Sequence, residues 1–149
     1  METNRKIRVA INGFGRIGRA AFKIALTKVE LEVVGINDIT DSETLAHLLK
    51  YDSVYGRYHK PISHGENSLT VDGVSYPVSV IKEPDQLPWK NLKVDVVLEC
   101  TGRLTKDNAA AAHLKAGAKR VIVSAPTKGE GTQTYLLGVN ADNYKGDEV

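Results

Sequence analysis

Two features of the sequence set chemistry-bearing groups at a spacing with a physical use. Gly13-Phe14-Gly15-Arg16-Ile17-Gly18 fits Gly-x-Gly-x-x-Gly, directly after the β-branched run Ile7 to Ile11 and directly before a segment with helical spacing. In that context Gly13 permits a tight turn, Gly15 lets backbone approach a pyrophosphate, and Gly18 lets the helix pack close to its strand. Free N–H groups and the positive end of the helix dipole then bind the anion without side-chain chemistry. Asp38 follows a second strand, twenty residues beyond Gly18, where a carboxylate accepts hydrogen bonds from an adenosine ribose hydroxyl. A bare turn and a helix-capping acid would explain either feature alone; a strand before, a helix after and an acid at this distance together point to dinucleotide binding. Asp38 would also repel a 2′-phosphate, and Ile39 beside it offers no cation, so NAD is expected over NADP.

Other candidates are weaker. Thr101-Gly102 and Ser124-Ala125-Pro126 each follow an apolar run and are short enough to let a cofactor lie across a sheet edge. Cys100 is the single thiol, and its place at the end of the most apolar strand favours core packing over catalysis. His47, His59, His64 and His113 form no visible pair with it and no zinc-type spacing, so neither catalytic residues nor metal ligands are assigned.

These groups need a frame, and the chain supplies alternating elements. After the strand from Ile7 to Ile11, Ile17, Ala21, Ile24, Ala25 and Lys28 recur at helical spacing, with the apolar ones expected on one buried face. Leu31 to Ile36 reads as a second strand, and Thr40-Asp41-Ser42-Glu43 has capping-box spacing before Leu45, Leu48 and Leu49 of a second helix. Asp72-Gly73 between Leu69-Thr70-Val71 and Val74-Ser75-Tyr76 supplies the two residues of a type I′ hairpin turn. Val78 to Ile81 returns to the main sheet, and Trp89 anchors a loop broken by Pro84 and Pro88. Val94 to Cys100 and Val121 to Val123 read as strands buried on both faces, Asn108 to Ala116 as an alanine-rich helix ended by Gly117, and Tyr135 to Val139 as a last strand. The expected fold is a doubly wound α/β domain of the Rossmann type, its sheet mostly parallel, with an inserted β-hairpin. Ligands in that architecture sit beyond the carboxyl ends of the strands, after Ile11, Ile36, Leu98 and Val123.

The chain has 149 residues, so one domain over residues 1–149 is expected, and one cysteine excludes a disulfide framework. A net charge of +2 spread without a basic run gives no reason to expect nucleic acid, and no apolar run has the ~20 residues that span a bilayer, so no membrane role is expected. The charged start lacks a signal peptide's apolar region, and a cytoplasmic location is the expectation.

Asn12-Gly13-Phe14-Gly15-Arg16-Ile17-Gly18-Arg19, Ile36-Asn37-Asp38 and Leu48-Leu49-Lys50-Tyr51-Asp52-Ser53 resemble the phosphorylating glyceraldehyde-3-phosphate dehydrogenases. Leu87-Pro88-Trp89, Thr101-Gly102, Gly117-Ala118-Lys119, Ser124-Ala125-Pro126 and Gly138-Val139-Asn140 follow in that family's order. The resemblance covers nearly the whole chain and only the family's amino-terminal, NAD-binding half. It implies that Asn12 and the turn Gly13, Phe14, Gly15, Arg16, Ile17 and Gly18 surround the pyrophosphate and adenosine. By the same token Asp38 holds the ribose, Lys82 lies near the adenine, and Thr101, Gly102 and Ser124 line the floor.

The family oxidises glyceraldehyde 3-phosphate by thiolate attack, hydride transfer to NAD and capture of the acyl thioester by phosphate, giving 1,3-bisphosphoglycerate in glycolysis or its reversal. The resemblance places its nucleophilic cysteine and partner histidine in a catalytic domain absent from this chain, and Cys100 is not at that cysteine's position. The expectation is therefore cofactor binding without turnover. The family's homotetramer and phosphorylated aldehyde substrate belong to the complete enzyme. A carboxy-terminal helix of the family packs on this domain, and without it an apolar groove is expected to be bare. Rival readings are the cofactor domain of erythrose-4-phosphate dehydrogenase, a stand-alone nucleotide-binding interaction module, and an adenosylmethionine methyltransferase with a similar first turn.

Overall fold

A computed structural model describes residues 5–146. The chain alternates as read: β1 (Ile7–Asn12), α1 (Arg16–Ala25), β2 (Leu31–Asn37) and α2 (Ser42–Lys50) come first. A small antiparallel pair, β3 (Tyr51–Asp52) and β4 (Gly56–Arg57), leads into β5 (Ile62–Gly65), β6 (Ser68–Val71) and β7 (Val74–Ser79). Then come β8 (Val96–Glu99), α3 (Ala112–Lys115) and β9 (Arg120–Val123). The main sheet has seven strands in the order β5-β6-β7-β2-β1-β8-β9. From β7 to β9 every pairing is parallel, and β5-β6-β7 is an antiparallel meander on one edge. The order reverses beside β1, because the chain goes from β1 to β2 on one side and returns to β8 on the other. That reversal opens a crevice at the carboxyl edge.

Alternation along β1 sends Ala10 and Ile11 to opposite faces, and each joins its own core. Ile11 packs under α1 and α2 with Phe14, Phe22, Leu45, Leu49 and Val78. Ala10 packs with Val34, Trp89, Val94, Val97 and Val121 on the other side. Trp89 is fully buried there and anchors its loop as the sequence implies.

Asp72 and Gly73 both have positive φ, 54° and 81°, and Val71 pairs with Val74, so the hairpin forms at the expected turn. It is joined to the main sheet. Its second arm is β7 itself, whose end pairs with β2 through Ile36↔Val78 and Asn37↔Ser79, while β5 extends the other side.

Several local expectations give way to packing. The buried face of α1 is Gly18, Phe22 and Ala25, whereas Ile17 and Ile24 are 56% and 59% exposed. Both sets have helical spacing, but the helix meets the sheet through Gly18, which carries no apolar signal. In α2 the cap is Asp41, accepting from the Thr44 N–H at 2.8 Å, because the Thr40 N–H is already held by Asp38 in the preceding turn. The alanine-rich segment begins as a 3-10 turn over Ala109–Ala111, after left-handed Asp107 and Asn108, and becomes helical only in α3. β9 is an edge strand with Val121 buried and Ile122 56% exposed, so it is not covered on both faces. Tyr135 to Val139 is no strand. Asn140 accepts from the Leu136 N–H, and the Leu136 carbonyl accepts from the Val139 and Asn140 N–H groups, closing a local turn in place of a ladder.

Candidate cofactor-binding cleft

The carboxyl ends of β1, β2, β7 and β8 surround a cleft of about 460 Å³, whose walls include Asn12, Gly13, Gly15, Asp38, Lys82 and Thr101. The glycine turn is built by close approach. At Gly13, φ is +89° and a Cβ would lie 2.8 Å from the Thr101 nitrogen; at Gly18 a Cβ would lie 2.0 Å from the Gly13 carbonyl oxygen. Gly15 has nothing within 4 Å of a Cβ position, so its backbone faces open space. It is the N-cap of α1 and offers no side-chain acceptor, and the first helical turn carries no acidic residue. The first-turn amides have no intrahelical acceptor, and nothing on the helix competes with an incoming anion.

Asp38 faces this turn. Its carboxylate accepts from the Phe14 backbone N–H at 2.6 Å and from the Thr40 N–H at 2.9 Å. A carboxylate offers about four lone-pair sites, so two remain for a diol.

The expected residues sort by position. Asn12, Gly13, Gly15, Asp38, Lys82 and Thr101 come together in the cleft, and Gly102 follows Thr101 at φ +69° with open space around it. Arg16 and Ile17 are exposed on the first turn of α1. Gly18 is buried where helix meets strand, and Phe14 turns its ring into the core, edge-on to Phe22 at 5.4 Å. Ser124 does not line this cleft. It follows the edge strand, beside a more apolar cavity of about 780 Å³ that also includes Tyr135 and Leu136. Burial pushes the Cys100 thiol up, the nearby Ser124 hydroxyl offsets part of this, and the charge of Glu99 adds to it, which disfavours the thiolate.

Residues that the sequence did not single out underlie the cleft. Glu99 is 1% exposed and accepts from the Thr101 N–H at 2.8 Å, the Thr101 hydroxyl, Asn12 Nδ2 at 2.7 Å and His113 Nε2 at 2.7 Å. Burial opposes its charge, but the bonds from His113, Thr101 and Asn12 outweigh burial and hold the carboxyl below its ordinary value. Asn37 Nδ2 donates to Asn12 Oδ1 at 2.8 Å, and Trp89 Nε1 donates to His113 Nδ1 at 3.0 Å. An acid at the end of an apolar run is the only trace of this network in the sequence. Among the described residues no group of three or more His, Cys, Asp or Glu is arranged to hold a metal ion.

A crevice at the point where strand order reverses, with an uncapped helix N-terminus facing an acid, defines a dinucleotide-binding α/β domain. Over residues 7–107 the chain matches the family model described as the NAD binding domain of glyceraldehyde 3-phosphate dehydrogenase, and it belongs to that family. It is 52% identical over 138 residues to glyceraldehyde-3-phosphate dehydrogenase of Geobacillus stearothermophilus, covering 93% of this chain and 41% of that protein. The corresponding values are 51% over 140 residues, 93% and 42% for the enzyme of Thermotoga maritima. For glyceraldehyde-3-phosphate dehydrogenase 2 of Bacillus subtilis they are 46% over 139 residues, 93% and 41%. The chain thus spans about two-fifths of the length of these curated relatives.

Proposed function

We propose that the cleft holds NAD with its pyrophosphate over the Gly15 to Ile17 amides and its adenosine ribose on the free lone pairs of Asp38. Lys82 and Thr101 both line this cleft; in this reading Lys82 serves the adenine and Thr101 the floor. The observation that carries this reading is the uncapped N-terminus of α1, open at Gly15, within one cleft with Asp38. Asp38 sets the preference for NAD, since a 2′-phosphate would meet its charge at short range.

Bound NAD is the hydride acceptor in oxidations of this family's kind, and the residues of this chain bind and orient it. The whole protein's activity is then the NAD- and phosphate-dependent oxidation of a phosphorylated aldehyde, carried out in a homotetramer. Within these 149 residues the thiol of Cys100 is raised by burial, and His113 is enclosed against Glu99 and Trp89. Neither is free to act as nucleophile or base, so the chain binds cofactor without turning substrate over.

The test is calorimetric titration of the 149-residue chain with NAD and with NADP, followed by an assay of NADH formation with glyceraldehyde 3-phosphate and phosphate. Saturable binding with NAD preferred, and no NADH formed, is expected. Absence of NAD binding overturns the assignment of the cleft, and steady NADH formation overturns the reading that these residues do not turn over.

A further inference from the structure

We propose that Glu99 is a positioning residue for the cofactor cleft: its charge fixes the direction of a buried hydrogen-bonded belt that joins the four strand ends around the cleft. The proposal rests on the NAD reading above and adds a residue outside the cleft walls to the determinants of affinity.

The belt has donors at both ends that cannot reverse. At one end the Ile81 backbone N–H donates to Asn37 Oδ1 at 3.0 Å, which forces Asn37 Nδ2 toward Asn12 Oδ1. Asn12 must then direct its own Nδ2 at Glu99. At the other end the indole N–H of Trp89, a donor only, occupies His113 Nδ1, so the ring proton sits on Nε2 and also points at Glu99. Asn12 Nδ2 and His113 Nε2 converge on one carboxylate oxygen, while the N–H and hydroxyl of Thr101 converge on the other. Both oxygens accept twice, and every dipole in the belt runs toward a single anion.

This arrangement makes the amide orientations depend on one charge. A glutamine at position 99 has the same shape, but its NH2 would face two donors whichever way it turned. Relief on the Asn12 side requires Asn12 to rotate, then Asn37, and Asn37 would finally set its NH2 against the Ile81 N–H. Relief on the other side releases Thr101. Either way a loop lining the cleft shifts: the Gly13 turn through Asn12, the Asp38 turn through Asn37, the Lys82 loop through Ile81, or the Thr101 loop directly.

The test compares NAD titrations of the wild-type chain, Glu99→Gln, and Val97→Ala, a core change in the same strand that leaves the belt intact and serves as a destabilised control. At a temperature where all three are folded by circular dichroism, Glu99→Gln is expected to raise Kd about tenfold or more, the loss of one to two well-made hydrogen bonds. Val97→Ala is expected to keep the wild-type Kd. A second readout is the indole N–H resonance of Trp89, the chain's one tryptophan, which is joined to the cleft through His113 and Glu99. It is expected to shift when NAD is added to the wild type. Equal affinity in Glu99→Gln, or an equal loss in Val97→Ala, overturns the proposal while leaving the NAD reading intact. If Glu99→Gln does not fold, an unmoved Trp89 indole on saturation of the wild type overturns it, and a shifted one sustains it. A wild-type chain that binds no NAD removes both readings together.

Discussion

The carboxylate of Asp38 accepts the backbone N–H of Phe14 at 2.6 Å, so the acid expected to select the cofactor also ties the end of β2 to the glycine turn. Phe14 is at the same time fixed by its ring, which packs edge-on against Phe22 in the core. The turn is thus held at one residue from two sides before any ligand arrives, and the amides of Gly15 and Arg16 start from a set geometry. Preorganisation of this kind reduces the ordering cost of binding.

Asp38→Asn should therefore act twice. The side-chain amide can still accept from one N–H, but it loses the charge that holds the turn and excludes a 2′-phosphate. NAD affinity is expected to fall about tenfold and the preference for NAD over NADP to narrow by a similar factor. Calorimetry with both nucleotides measures each effect, and an unchanged preference would count against Asp38 as the selector.

The first and third glycines of the motif are structural and the second is functional, and alanine scanning should separate them. Gly18→Ala sets a Cβ 2.0 Å from the Gly13 carbonyl oxygen, a backbone clash expected to cost roughly 3 kcal/mol or more of stability. Gly15→Ala meets nothing within 4 Å and needs no positive φ, so stability should change by less than about 1 kcal/mol. Its methyl group instead projects where the pyrophosphate seats, and NAD affinity should fall about tenfold. Chemical denaturation and NAD titration of the two variants give opposite patterns if this division is right.

The contrast also shows which parts of the molecule the sequence reveals. The glycine turn, the Asp72-Gly73 hairpin and the anchoring by Trp89 are legible because each depends on local backbone geometry or on one large side chain. The face of α1 is not, because Gly18 makes the contact and Ile17 and Ile24, with the stronger apolar signal, stay exposed. Tyr135 to Val139 has strand composition, but its backbone is closed locally through Leu136 and Asn140, and among the described residues it joins no strand ladder. The network at Glu99 is the deepest omission. Its members lie on β1, β2, β8, α3 and the Trp89 loop, far apart in sequence, and each one alone looks like an ordinary core or turn residue.

Stability should fall in acid for reasons that can be assigned. Burial opposes charge on Asp95, but Lys119, the Arg8 N–H and Arg5 outweigh it and hold the carboxyl at about 2; Glu99 is likewise held below its ordinary value. Folded values below unfolded ones mean that the stabilisation is complete above about pH 5 and is lost as pH falls through 4 toward 2. Asp95→Asn should lose about 1–2 kcal/mol at neutral pH and show a shallower acid dependence. Thermal melts of both proteins from pH 7 to 3 check this, and parallel curves would contradict it.

Cys100 lines the cleft with its thiol raised by burial. Alkylation at neutral pH is expected to be at least about tenfold slower than in the denatured chain, and slower again with NAD present. Mass spectrometry of timed samples reads both rates. Labelling at the rate of an exposed cysteine would contradict the placement of this residue.

The central claim is that first-turn amides of α1 bind the pyrophosphate, and backbone amide resonances observed during an NAD titration test it most directly. The largest shifts are expected at Gly15, Arg16 and Ile17, with Asp38 and Thr101 moving along the same saturation curve. Saturable binding that leaves the Gly15 to Ile17 amides in place, with the shifts gathered instead around β9 and Tyr135, would contradict it.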